Sequence, residues 1–201
     1  MIATGIRGKL ANLYATAHHR YTRELSPVSF GEELSRQGPI LVVMPRDATC
    51  FEAARHVLVH LRQFTTGDDG PVRIHAFLHE TFKNWIDSRL ISQAVPWADT
   101  DLNALRLPSN KLLNQVANLG CGVALDLNVD EDLGAGYVIG MTGANIRIAL
   151  GARQHRQFYN VEMRLPVDRD DLRRTYLGLT RQLHLTFFRS GGEAPTELST
   201  M

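Results

Sequence analysis

A chain of 201 residues with 44% hydrophobic and 21% charged side chains has ample material for one large domain core. Its 22 Lys and Arg nearly balance 21 Asp and Glu, so no net field draws it to nucleic acid or to an anionic membrane as a whole. Two cysteines, Cys50 and Cys121, form no disulfide framework and no CxxC signature.

Residues 1–37 read as a leading helical segment, with a helix over 3–20 and a loop around Ser26-Pro27. Spacings of three and four align Ile6, Leu10, Leu13, Tyr14 and Ala17 in an apolar stripe, which is expected to pack on the body or on a partner. The basic residues Arg7, Lys9, Arg20 and Arg23 permit a weak membrane-surface role, but the apolar face is too small for stable anchoring. Neither a signal peptide nor the run of about eighteen apolar residues needed for a spanning helix is present, and the expected compartment is the cytoplasm.

From residue 38 the pattern is regular. Ile40 to Met44 is a continuous apolar run between prolines, as expected of a central parallel strand buried on both faces. A helix over Cys50–Phe64, a turn cluster at Thr65–Pro71 and a strand over Val72–Leu78 follow. Next come a helix over Glu80–Leu90, a strand near Ser92–Pro96 and an extended piece at Ala104–Leu107. Pro108-Ser109 opens a helix that Gly120 stops. The stretch from Gly122 to Arg147 then reads as a strand (Val123–Leu127), an acidic turn, a helix rich in small residues and the start of another strand (Ile146–Leu150). A strand over Phe158–Leu165 and an amphipathic helix from Asp168 to Leu185 complete residues 38–188, and 189–201 read as a disordered tail. Strands alternating with helices predict a Rossmann-like α/β domain, a parallel sheet with helices on both faces.

The acidic turn Asp126-Leu-Asn128-Val-Asp130-Glu131-Asp132 begins D-x-N-x-D. An EF-hand, however, needs Gly at its sixth position and Glu at its twelfth, where this chain has Glu131 and Tyr137. Asp126 and Asn128 share one strand face at the end where open α/β sheets bind ligands, so they read as ligand contacts or as purely structural groups. Asp130 and Asp132 read as helix caps or ligand contacts, with Asp130 the foremost cap candidate. The glycines of Gly134-Ala-Gly136-Tyr-Val-Ile-Gly140 start too late after the strand for a dinucleotide fingerprint and belong inside the helix, where small residues allow close approach. His75 and His79 lie in a strand, about 13 Å apart at about 3.3 Å per residue, too far for one metal ion. The Arg-rich segments 147–156 and 164–174 read as a solvated face or as a local site for an anion. No metal and no cofactor are expected.

The run Ile40-Leu-Val-Val-Met-Pro-Arg-Asp-Ala-Thr-Cys-Phe-Glu-Ala-Ala-Arg-His-Val-Leu-Val-His-Leu-Arg62 resembles the first strand and helix of family 9 glycosyltransferases, the heptosyltransferases. Val123-Ala-Leu-Asp-Leu-Asn128, Thr142-Gly-Ala-Asn-Ile-Arg-Ile148 and Phe158-Tyr-Asn160 resemble later motifs of the same family, so the likeness spans about residues 38–165. It implies the amino-terminal, acceptor-side half of a GT-B enzyme. In the family, the loop after the first strand carries a Gly-Asp whose Asp acts as general base. Those positions here are Thr49 and Cys50, with Asp47 three residues early. The family's donor binds a carboxyl-terminal half, and this chain ends where that half is expected to begin.

The resemblance therefore implies a non-catalytic, heptosyltransferase-like binding or assembly module, a pseudoenzyme. The alternative is the acceptor-binding half of a glycosyltransferase completed by a donor-binding partner chain. Asp47 is the one candidate catalytic residue; Arg46, Asp47, Thr49, Asp126, Asn128 and Asp130 are the candidate ligand-binding residues. The expected ligand class is a sugar or nucleotide sugar, and the expected partner is another protein or a second copy, docked through the leading helix or the final helix.

Overall fold

Four apolar residues in succession, Ile40–Val43, are buried on both faces and form the central strand β1 of a six-stranded parallel sheet. The computed structural model describes residues 5–22, 38–64, 66–67, 70–151 and 153–188. The expected loop at Ser26-Pro27 and the expected tail 189–201 lie outside these described residues. The other strands are β2 (Ile74–His79), β3 (Gln93–Trp97), β4 (Val123–Asp126), β5 (Ile146–Leu150) and β6 (Val161–Met163). They lie in the order β3-β2-β1-β4-β5-β6, all parallel. This doubly wound order reverses between β1 and β4, as in the Rossmann arrangement.

Among the described residues, five α-helices surround the sheet: α1 (Ile6–Thr22), α2 (Ala48–Phe64), α3 (Asn110–Ala117), α4 (Leu133–Met141) and α5 (Leu172–Leu183). Alternate residues of β1 feed two cores. Ile40, Val42 and Met44 pack with Phe51, Val57 and Leu58 of α2 and with Tyr176 and Leu179 of α5. Leu41 and Val43 pack on the other side with residues of α1, α3 and α4. Because α4 lies between the sheet and α1, every residue from Ala135 to Gly140 is buried, which is why its sequence shows no polar face. Burying one large apolar side chain of this kind contributes about 1.5–3 kcal/mol.

Local chemistry explains the departures from the sequence reading. The helix expected over Glu80–Leu90 is a short 3₁₀ segment, Glu80–Trp85. The His79 side chain accepts the Thr81 N–H and the Asp87 carboxylate accepts the Arg89 N–H, so side chains compete with helical hydrogen bonds at both ends. Ala104–Leu107 is a turn rather than an extended piece. Asn103 Oδ1 accepts the N–H groups of Leu105 and Leu107 at 2.9 and 3.1 Å, and Arg106 adopts φ 65°. The last helix starts at Leu172, not at Asp168, because Asp171 is its cap and Asp168 instead accepts the N–H groups of Asp170 and Asp171. The segment Phe158–Leu165 keeps only Val161–Met163 as strand. Gly120 does sit just past α3 with φ 63°, in the left-handed region that favours glycine at a helix stop.

The apolar stripe of α1 faces outward, against the expectation that it packs on the body. Ile6 is 81% exposed, Leu13 68% and Leu10 51%, while Ala11, Ala15 and His19 form the buried face. Large side chains cannot fit there, because the contact runs onto the glycines of α4. A Cβ at Gly140 would lie 2.8 Å from His19 Cδ2.

Candidate functional site

The register Val43↔Asp126 brings the carboxyl ends of β1 and β4 level, and their following helices turn to opposite faces of the sheet. The crevice between them is the position where open α/β sheets hold ligands. A cavity of about 40 Å³ lies there, lined by Arg46, Trp97, Arg106, Asn128, Asp132 and Gly134 among others. That is room for about one water.

The mouth is cationic and aromatic. Arg46 lies over the Trp97 ring, 4.8 Å from Cζ to the centroid, and its Nη2 donates to Asp99 Oδ1 at 3.1 Å. Arg106 Nη2 lies 3.6 Å from the same oxygen. Two guanidiniums therefore share one carboxylate, and a second carboxylate, Asp132, lines the same cavity. The left-handed backbone of Arg106 is a strained conformation for a residue with a Cβ, of order 1 kcal/mol, at the rim of the crevice.

The floor is a closed polar network. The Tyr159 hydroxyl donates to Asp126 Oδ2 at 2.6 Å, and the Asn128 backbone and side-chain N–H groups both donate to Oδ1, at 2.9 and 2.6 Å. Arg153 donates to the carbonyls of Asn128 and Val129 and sits 3.7 Å from Asp126 Oδ2. Asp126 is 0% exposed; burial pushes its carboxyl above the usual range, opposed by Arg153 and by the Tyr159 and Asn128 hydrogen bonds.

The structure thus separates the six residues that the sequence groups into one site. Arg46 and Asn128 line the crevice. Asp126 lies beneath it and orients Asn128. Asp130 is not the cap; it pairs with Arg169, and Asp132 caps α4 by accepting the Ala135 N–H at 3.0 Å. Asp47 is exposed at the start of α2, where its Oδ1 accepts the Cys50 N–H at 2.9 Å. Thr49 opens instead onto a separate groove of about 700 Å³, together with Glu52, His56, Trp85, Arg169 and Arg173. Burial, followed by the Asp47 charge, pushes the Cys50 thiol up to about 11, so it is a poor nucleophile at neutral pH.

The sequence reading missed Trp97 and Arg106 at the mouth and Tyr159 and Arg153 in the floor. Trp97 was within reach, being the aromatic that ends β3 at the ligand-bearing edge of the sheet. Arg153 was hidden in an Arg-rich segment that reads as solvated, yet it is only 4% exposed. Among the described residues, no three His, Cys, Asp or Glu side chains converge to hold a metal ion, and no helix is long and apolar enough to cross a membrane. No family model matches this chain, and neither does any curated protein or solved structure, so the heptosyltransferase likeness rests on the residues quoted above.

Proposed function

We propose that this chain is a non-catalytic, heptosyltransferase-like binding module whose crevice mouth takes an anionic sugar ligand, such as a sugar phosphate or nucleotide sugar. The observation that carries this reading is the engagement of the carboxylates at the carboxyl edge of β4. Asp126 is buried and saturated, Asp130 is ion-paired and Asp132 is a helix cap. None of them is placed as a general base, which must reach the proton it removes. Arg46 and Arg106, by contrast, share the single carboxylate of Asp99, and Trp97 lies beside them.

One observation favours the enzymatic alternative. Asp47 is exposed beside the crevice, at the start of α2. A thermal-shift series with nucleoside diphosphates and nucleotide sugars, paired with an assay for release of nucleoside diphosphate, separates the two readings. The binding reading expects a saturable shift that Arg46→Ala abolishes, and no release. A ligand at one hundred times its dissociation constant adds about 2.7 kcal/mol of stability. Release of nucleoside diphosphate that disappears in Asp47→Asn would overturn the binding reading and install Asp47 as a base.

A further inference from the structure

The outward stripe of α1 is unlike an ordinary exposed helix face. At about 100° per residue, Leu13, Ile6, Leu10 and Tyr14 fall within an arc about 100° wide. Lys9 lies just beyond one border of that arc, Arg7 just beyond the other, and the position of Arg20 falls beside Lys9. Residues 1–23 hold four Lys or Arg and no Asp or Glu, in a chain whose overall charge is only +1. The orientation is fixed from behind. His18 Nδ1 pairs with the Tyr137 hydroxyl, the His19 ring stands edge-on to Phe158 at 5.3 Å, and Gln157 Nε2 donates to Thr16 Oγ1 at 3.0 Å. Arg7 donates to the Ala104 carbonyl at 3.0 Å, a contact that leaves its charge uncompensated.

We infer that α1 is a membrane-surface helix that lays Ile6, Leu10 and Leu13 into the interface of an anionic bilayer, with Lys9 at the headgroups and Tyr14, stacked on His18, at the edge of the band. An apolar band bordered by basic residues, with an aromatic at its edge, is the pattern that such a surface takes. A second copy of the chain is the poorer occupant, because it would bring two helices with only basic residues face to face. The helix alone gives marginal attachment, so binding is reversible and depends on anionic lipid.

The test uses the full chain in a flotation assay with vesicles of phosphatidylcholine alone or mixed with about one quarter phosphatidylglycerol, alongside light scattering without lipid. Binding is expected to the anionic vesicles only, and to fall as salt is raised. Lys9→Gln should weaken it about fivefold, the effect of one basic residue near such a surface. Leu10→Gln with Leu13→Gln should weaken it more than tenfold with an unchanged melting curve, since both side chains are exposed. The inference is overturned by no flotation with anionic vesicles, by equal binding to neutral ones, or by binding indifferent to the double variant. A dimer in solution that the double variant splits, with no vesicle binding, also overturns it and assigns the stripe to a second copy.

Discussion

Replacing Gly140 by alanine sets two effects of similar size against each other, and the structure decides between them. In a helix interior, alanine is intrinsically better than glycine by about 1 kcal/mol. The new methyl at Gly140, however, would lie 2.7 Å from Phe158 Cδ1 and 2.8 Å from His19 Cδ2. Both distances are roughly 0.7–0.8 Å inside a comfortable carbon–carbon contact of about 3.5 Å. Phe158 is 0% exposed and His19 only 2%, so neither ring has open space to retreat into. Overpacking of this kind costs about 1–3 kcal/mol, and two simultaneous clashes place it toward the upper end. The expected net loss is about 1–2 kcal/mol, relieved by α1 lifting off α4, since His19 belongs to α1 and Phe158 is held by the core. Gly178→Ala in α5 is the control. Its methyl meets only Leu165 Cδ2 at an ordinary 3.6 Å, and a gain of about 0.5–1 kcal/mol is expected. Urea unfolding of the three proteins gives the stabilities, and hydrogen exchange across residues 6–22 reports the docking of α1. If Gly140→Ala is stabilised alongside Gly178→Ala, with α1 equally protected, the account of how α1 is seated is wrong.

Other expectations follow from the same contacts. Tyr159→Phe keeps the ring but removes the hydroxyl that donates to buried Asp126 at 2.6 Å; a loss of about 1.5–3 kcal/mol is expected in urea unfolding, and a change under 0.5 kcal/mol would mean that this bond is not holding the floor. The Cys50 thiol, raised to about 11, is expected to be about one part in a thousand thiolate at pH 8, so its alkylation should accelerate about tenfold per pH unit up to that value; reaction at pH 7 as fast as a free thiol would refute the burial argument. Cys121, buried and raised to about 12, should stay unmodified until the protein unfolds, and mass mapping of the alkylated native chain checks this. Arg106→Gly should be neutral or stabilising by up to about 1 kcal/mol because it releases a left-handed φ of 65°, whereas Arg106→Val should lose more than about 1 kcal/mol; equal melting temperatures for the two would remove the strain from the rim.

The sheet was legible because parallel strands covered on both faces are written as largely apolar runs, continuous in β1 and broken only by His75 in the buried part of β2. The helices that failed, failed where short side chains compete for the backbone. His79 and Asp87 confine the segment after β2 to a 3₁₀ turn, and Asp168 holds off the start of α5 by one helical turn. Helix α1 was recognised by its period, but the period pointed to the wrong face. Hydrophobic periodicity assumes that the largest apolar residues are buried. Here the buried face is Ala11, Ala15 and His19, and the His19 ring comes close onto Gly140 of α4.

The place of the site was legible and its inventory was not, for a reason that lies in sequence distance. The acidic run after β4 announces a polar cluster at the ligand-bearing end of the sheet. What Asp126, Asn128 and Asp130 do depends on partners 25 to 39 residues downstream, in segments that read as an ordinary basic surface. Arg153 reaches back to Asn128, Tyr159 to Asp126 and Arg169 to Asp130. Two of those three, Arg153 and Tyr159, are buried, so the basic segment 147–156 supplies the floor as well as the surface. This division has a chemical consequence. With Asp126 and Asp130 paired to Arg153 and Arg169, the charge that a ligand meets is Arg46 and Arg106 around Asp99 on one side and the helix-capping Asp132 on the other. A crevice that reads as acidic in the sequence also presents two guanidiniums beside Trp97 where it opens to solvent. Those guanidiniums are the reason that an anionic ligand, rather than a cation, is proposed for it.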